Sequence, residues 1–304
     1  MRYPNLVIAG APKCGTSSVF TWLAAHPQVG ASTVKETFYL MDEGHPLRRQ
    51  ALNFQEQGLA GYESFFSKCL PHHRVVFEAT THYLYQQTAL EVLSRLKPMP
   101  QIVFLLRKPS ERVYSSFQYS KHNLANVRRD LSFAQFISEV MRRPDSALIS
   151  EYAGESAFVL QRDIEYSRYI EHLSRWIARF GRERIQIYLF EEMKRDPRLF
   201  MQTLAGRLGI AAEFYDRYDF PVRNETVTVR NTSLHRRVKK LNRAIPRFPM
   251  RSVLKNTFMR AQSHGNGKTK SAEDQQTLNE LEQYFVPLNQ RLAKDCDLDL
   301  SAWH

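Results

Sequence analysis

Between Asn5 and Pro27 the hydrophobic period of the chain changes. Leu6–Ala9 is an unbroken apolar run, glycines at 10 and 15 interrupt it, and apolar positions then return at helical spacing over Gly15–Ala25. This reads as a buried strand, a tight loop and a helix. "VVFE" at Val75–Glu78 and "QIVFLL" at Gln101–Leu106 are further apolar, β-branched runs of strand length. A helix is predicted over Pro109–Tyr119, with proline in its first turn, where no backbone N–H is missed. "RIQIYLFEEM", Arg184–Met193, reads as another strand, and Asp196–Leu208 as a helix opened by Asp–Pro. A last helix is predicted over Gln275–Leu292. Continuous apolar strands alternating with helices predict an α/β fold of three layers, α/β/α, around a central parallel sheet. Ligands of such sheets bind at the carboxyl ends of the strands.

Two stretches break the alternation. Residues 122–160 are mixed and polar and read as a lid or insertion; residues 217–270 are basic and irregular and are expected over the donor and acceptor sites. With no internal repeat, one domain over 1–304 is the simplest organisation. At 43% apolar residues the chain can bury a sizeable core. Its net charge of +12 is local: Arg217–Lys270 holds fourteen Lys/Arg against Asp219 and Glu225. That clustering suits a polyanionic partner or a solvated basic face. No apolar run nears the roughly 20 residues of a membrane span, and the first residues lack a signal-peptide pattern, so a cytoplasmic protein is expected. Cys14, Cys69 and Cys296 have no metal-ligand spacing and are expected as free thiols.

The loop "GAPKCGTS", Gly10–Ser17, carries the candidate chemistry. A strand–loop–helix turn presents backbone N–H groups and a positive helix end to an anion. The spacing is that of an ATP-binding loop, but Thr16 and Ser17 stand where its lysine and magnesium-binding hydroxyl belong, and Lys13 lies two residues before Gly15. A cation at the crown of the loop would meet the bridging oxygen of a bound anhydride. The pattern argues against a P-loop kinase and implies no metal. A nucleic-acid-binding protein would use the basic window without needing this loop.

The stretch resembles the 5′-phosphosulfate loop of sulfotransferases that use 3′-phosphoadenosine 5′-phosphosulfate (PAPS) and release 3′-phosphoadenosine 5′-phosphate (PAP). The resemblance implies donor contacts from Ala11, Pro12, Lys13, Cys14, Gly15, Thr16, Ser17 and Ser18. It continues in "IVFLLRKPSERVYSSF", where Arg107 ends a strand and Ser115 follows eight residues on; in that family such a pair holds the 3′-phosphate. A fork-shaped donor at the carboxyl edge of a sheet suits that task independently. "GNGKTK" is similar to the family's glycine–basic loop over the same phosphate, implying Gly267 and Lys268, and the closing segment resembles the family's last helix and terminal tryptophan, here Trp303.

The likeness is strongest to the heparan-sulfate-type branch and its bacterial relatives. "VKETFYL" matches that branch's motif for the general base and implies Glu36. "FEATTHYLY" departs from it: Ala79 stands where several relatives have lysine, and His82 lies nearby, where cytosolic sulfotransferases carry a histidine base. The free pKa of His82 suits a base, and Glu36 would need a raised pKa or a geometric advantage. Both stay open. The acceptor is expected to be a carbohydrate, with a small hydroxylated metabolite or peptide tyrosine as alternatives; Phe38, Tyr39, Tyr83 and Tyr85 could stack on sugars or be core. No nucleic acid is expected as partner.

Overall fold

The computed structural model describes residues 2–124, 127–128, 130–142, 155–221, 228–229, 263–264 and 270–303. Its strands are β1 (Leu6–Gly10), β2 (Val29–Ala31), β3 (Val75–Glu78), β4 (Gln101–Leu106) and β5 (Ile185–Leu189). The helices are α1 (Thr16–Ala24), α2 (Phe54–Glu63), α3 (Gln87–Arg95), α4 (Pro109–Gln118), α5 (Phe133–Arg142), α6 (Glu155–Gln161), α7 (Asp163–Tyr166), α8 (Tyr169–Phe180), α9 (Phe190–Arg195), α10 (Pro197–Leu208) and α11 (Ala272–Cys296). Two compact units result. The first holds Met1–Arg112, Tyr166–Asn224 and Tyr284–His304; the second holds Val113–Glu165 and Glu225–Gln283.

In the first unit all five strands run parallel in the order β2-β3-β1-β4-β5. The strands are of the apolar composition that a parallel sheet requires. β1, β3 and β5 are buried along their whole length, and Ile102–Leu106 of β4 is fully enclosed, as a sheet covered on both faces requires. Each such side chain contributes about 1.5–3 kcal/mol by leaving water. The chain runs from β1 outward to β2, returns through β3 and crosses to β4, so β1 lies at the point where connections diverge, where a parallel sheet opens a crevice at its carboxyl edge.

The helices obey their local signals. Asp196 caps α10 by accepting from the Leu199 N–H at 2.9 Å, Pro197 opens the helix, and Gly209 ends it in the left-handed region. On α8 the stripe Tyr169, Ile170, Leu173, Trp176 and Phe180 is buried. Sequence reading assigned no element there. The predicted strand Arg184–Met193 needs correction: β5 ends at Leu189 and α9 begins at Phe190. Glu191 and Glu192 favour a helix start, where they meet the positive end of its dipole, and they interrupt the apolar alternation a longer strand would need.

In the second unit, Phe117 stacks on Phe136 of α5 at 5.0 Å, and Tyr114 packs edge-on to Phe133 and donates to Asp274 at 3.1 Å. Thr228–Val229 and Ser263–His264 pair as a short antiparallel ladder. The stretch 122–160 supplies α5 and α6, while 125–126, 129 and 143–154 lie outside the described residues. Most of the basic 217–270 stretch does too, including Gly267 and Lys268. α11 extends the predicted Gln275–Leu292 at both ends. Among the described residues no helix is long and apolar enough to cross a membrane.

Candidate active site

Four neighbouring strands of the first unit end in the segments that sequence reading singled out. Lys13 follows β1, Glu36 follows β2, His82 follows β3 and Arg107 follows β4.

The loop after β1 is pinned at its start by the Ala11 N–H, which donates to the Leu105 carbonyl of β4 at 2.7 Å. Lys13 (φ 70°) and Gly15 (φ 81°) both take left-handed backbone, which curls the loop tightly ahead of α1. Gly15 has a second reason to lack a side chain: a Cβ there would lie 2.6 Å from Met193 Cε and 2.9 Å from the Phe190 ring. Thr16 is buried in the first turn of α1, and no side chain caps that turn at Gly15. A helix start of this kind, preceded by a tightly curled loop, is suited to an anion, and Lys13 lies within that loop. The Cys14 side chain points inward. Its Sγ lies 3.6 Å from the Pro12 carbonyl and 3.7 Å from the Tyr169 hydroxyl. Burial pushes this thiol up to about 11 against the opposing pull of Arg112, so it stays protonated and only its backbone can face an anion.

Tyr169 ties the loop to the next strand end, since its hydroxyl donates to the Arg107 carbonyl at 3.0 Å. The Arg107 guanidinium lies 4.9 Å over the Phe190 ring and pairs with Glu111 at 3.2 Å, with about a fifth of its side chain exposed. Position and chemistry suit a phosphate. Ser115 is half-buried in the part of α4 that belongs to the second unit. Beyond β5, Glu191 accepts from the Lys108 N–H at 3.1 Å and from the Trp303 indole at 2.9 Å, which fastens the buried terminal tryptophan to this edge of the sheet.

Glu36 Oε1 accepts from Thr81 Oγ1 at 2.8 Å and from Lys35 Nζ at 3.1 Å, and 29% of the Glu36 side chain is exposed. Burial would raise its pKa, but Lys35, the Thr81 hydroxyl and His82 together hold it below the ordinary carboxylate value. Glu36 is therefore a carboxylate at neutral pH; of the raised pKa or geometric advantage expected of it as a base, the raised pKa is absent. Lys35 Nζ also donates to the Ala79 carbonyl at 3.4 Å, so an ammonium stands at the backbone of the position that lacks a lysine. His82 is 7% exposed. Burial lowers its pKa to about 4, with Glu36 opposing, and the imidazole is neutral at physiological pH. Its Nδ1 is buried with no hydrogen-bond partner among the described residues. Around it lie the rings of His45 at 6.0 Å, Tyr85 and Tyr166 at 6.1 Å, and Phe38 at 6.5 Å. Of the four aromatics named from sequence, Tyr39, Tyr83 and Tyr85 are buried in the core and Phe38 alone is partly open.

Sequence reading missed three residues of this region. Tyr169 was legible from the apolar period of α8. Arg112, fully buried and donating to Ser167 Oγ at 2.7 Å, carries no sequence signal that separates it from a surface arginine. Glu78 ends the apolar run "VVFE" in place of a terminating turn residue, and it is fully buried. Among the described residues no group of three or more His, Cys, Asp or Glu is arranged to hold a metal ion.

A family model described as "Sulfotransferase domain" matches residues 3–275. The bifunctional heparan sulfate N-deacetylase/N-sulfotransferase 1 of Caenorhabditis elegans is 28% identical over 220 residues, 71% of this chain and 23% of the relative. Bifunctional heparan sulfate N-deacetylase/N-sulfotransferase 3 of Homo sapiens is 24% identical over 217 residues, 70% of this chain and 23% of the relative. The chain thus spans less than a quarter of the length of these relatives. The crystal structure of a sulfotransferase from Alicyclobacillus acidocaldarius matches with a TM-score of 0.64 at 23% identity, covering 100% of this chain and 99% of that one, a likeness of fold. With a parallel five-stranded sheet, a phosphate-type loop and a family match over most of its length, this chain belongs to the sulfotransferase-domain family.

Proposed function

We propose that this sulfotransferase moves a sulfuryl group from PAPS to a hydroxyl or amine of a carbohydrate. The observation that carries the reading is the placement of Lys13, the ionised Glu36 and Arg107 in the segments that follow β1, β2 and β4 at the carboxyl edge of one parallel sheet. The backbone of Ala11–Ser18 would hold the 5′-phosphosulfate, and Arg107 the 3′-phosphate. The bond from sulfur to the bridging phosphate oxygen breaks, its electron pair stays on that oxygen, and Lys13 stabilises the charge that develops there. The acceptor oxygen or nitrogen bonds to sulfur and its proton passes to Glu36, which Thr81 and Lys35 aim. Glu36 has the better claim to the base: it is charged and partly open, whereas His82 is enclosed. Transfer is in line, so positioning supplies much of the rate. The names of the heparan sulfate relatives support a carbohydrate acceptor.

Thermal melting with ligands tests the donor site. PAP is expected to raise the melting temperature, and ATP with magnesium to do so far less. Arg107→Ala is expected to cost about 1.5–3 kcal/mol of PAP affinity through the lost charge-assisted contact. PAP affinity unchanged in both Arg107→Ala and Ser115→Ala would remove the 3′-phosphate assignment.

A further inference from the structure

The carboxylate of Glu78 touches none of the groups assigned above, yet it is fully buried and collects hydroxyl donors. Tyr62 donates to Oε1 at 2.5 Å, Thr37 Oγ1 lies 3.2 and 3.1 Å from the two oxygens, and the Thr80 hydroxyl donates to Oε2. The Tyr83 hydroxyl is a fourth partner of this carboxylate, and each hydroxyl has one hydrogen to give. The Tyr83 hydroxyl lies 2.8 Å from Thr37 Oγ1, within hydrogen-bond reach. The remaining lone pairs then face backbone N–H groups. Thr80 Oγ1 accepts from Thr37 N at 2.9 Å, Thr37 Oγ1 from Tyr39 N at 3.3 Å, and the Tyr83 oxygen from Leu40 N at 3.1 Å.

The segment held this way is the one that follows Glu36. Phe38 within it has φ 50°, a left-handed conformation that costs a non-glycine residue energy and persists where the surroundings dictate it. Thr80 also neighbours Thr81, whose hydroxyl holds Glu36 Oε1. One buried carboxylate therefore orients both supports of Glu36: the turn that carries it and the threonine that aims it. Burial raises the pKa of Glu78, and its hydroxyl donors oppose the rise.

We propose that Glu78 is a positioning residue for sulfuryl transfer, acting through Thr37 and Thr80 to fix the Glu36 carboxylate. The inference rests on the reading of Glu36 as base. Thr37→Val keeps the shape of the side chain and removes the hydroxyl that links Glu78 to the turn, while Thr37→Ser restores it. The experiment measures kcat, the KM for PAPS and the PAP Kd for the full chain and for Thr37→Val, Thr37→Ser and Glu78→Gln, with Glu36→Gln alone and combined with Thr37→Val. Thr37→Val and Glu78→Gln are expected to lower kcat by roughly ten- to a hundredfold with PAP Kd unchanged, and Thr37→Ser to return kcat to within about threefold of the parent. In the Glu36→Gln background Thr37→Val is expected to have no further effect, because the group it positions is gone. A Thr37→Val enzyme with parental kcat, beside a Glu36→Gln enzyme that has lost turnover, overturns the proposal and leaves Glu36 as base. An equal loss from Thr37→Val in both backgrounds overturns it too. Parental turnover in Glu36→Gln instead overturns the reading of Glu36, whatever the threonine variants do. If Glu78→Gln does not fold, the Thr37 pair decides.

Discussion

Glu36 and His82 are electrostatically coupled, and each titrates below its ordinary range: Lys35, Thr81 and His82 outweigh burial at the carboxylate, and burial outweighs Glu36 at the imidazole. Above about pH 5 both are therefore in their proton-accepting forms, and the rate is expected to be flat from pH 5 to 7 at saturating PAPS. A limb near 6.5, abolished by His82→Asn, would move the base to His82. Substitution separates the two directly. Glu36→Gln is expected to lower turnover by about 10²–10⁴ with PAP affinity nearly unchanged, and His82→Asn to be mild. His82 also bears on stability. Its folded pKa lies below the free value of 6.5, so the unfolded chain binds more protons as pH falls, and stability present above 6.5 is lost down to about 4. His82→Asn is expected to flatten the acid side of a melting-temperature profile over that window; an unchanged slope would contradict the buried neutral imidazole. At this scale, sequence named Glu36 and His82 as candidates, and only the fold supplies the environments that set them apart. The pKa of Glu36 was not legible because Lys35 and Thr81, one adjacent and one forty-five positions away, meet its carboxylate only in the fold.

The phosphate-type loop depends on the helix that follows β5. α9 places Phe190 under the Arg107 guanidinium and, with Met193, against Gly15. Gly15→Ala would combine left-handed strain with a clash. Gly209, also left-handed at φ 66° with nothing within 4 Å of an added Cβ, isolates the strain alone. Gly209→Ala is expected to cost about 1–2 kcal/mol of stability, and Gly15→Ala more, with a loss of PAP affinity that Gly209→Ala does not share. Equal costs and equal PAP affinity would mean that α9 does not support the loop. "IYLFEEM" keeps apolar residues to its end and so predicts one strand across β5 and α9; only the paired glutamates mark the change of element. The strands "LVIAG", "VVFE" and "QIVFLL" were legible because a doubly covered parallel strand must be apolar throughout. α8 was equally periodic and went unassigned, and with it Tyr169, which joins the loop to the end of β4.

For the whole molecule, alternating strands and helices were enough to foresee the parallel sheet, and the sheet explains why residues distant in sequence share one edge. The acceptor was less legible. The charge of +12 gathers in a basic window that lies mostly outside the described residues, and the donor is itself highly anionic, so charge alone does not identify the acceptor. Sulfuryl transfer is tested most directly by incubating the chain with sulfur-labelled PAPS and N-deacetylated heparan-type polysaccharide, small phenols or tyrosine peptides as separate acceptors. Label is expected on the polysaccharide, in step with PAP release. In Lys13→Ala, kcat is expected to fall further than PAP affinity, because charge on the bridging oxygen grows only in the transition state. No transfer to any acceptor by a chain that binds PAP, or equal transfer by wild type and Lys13→Ala, would contradict the account.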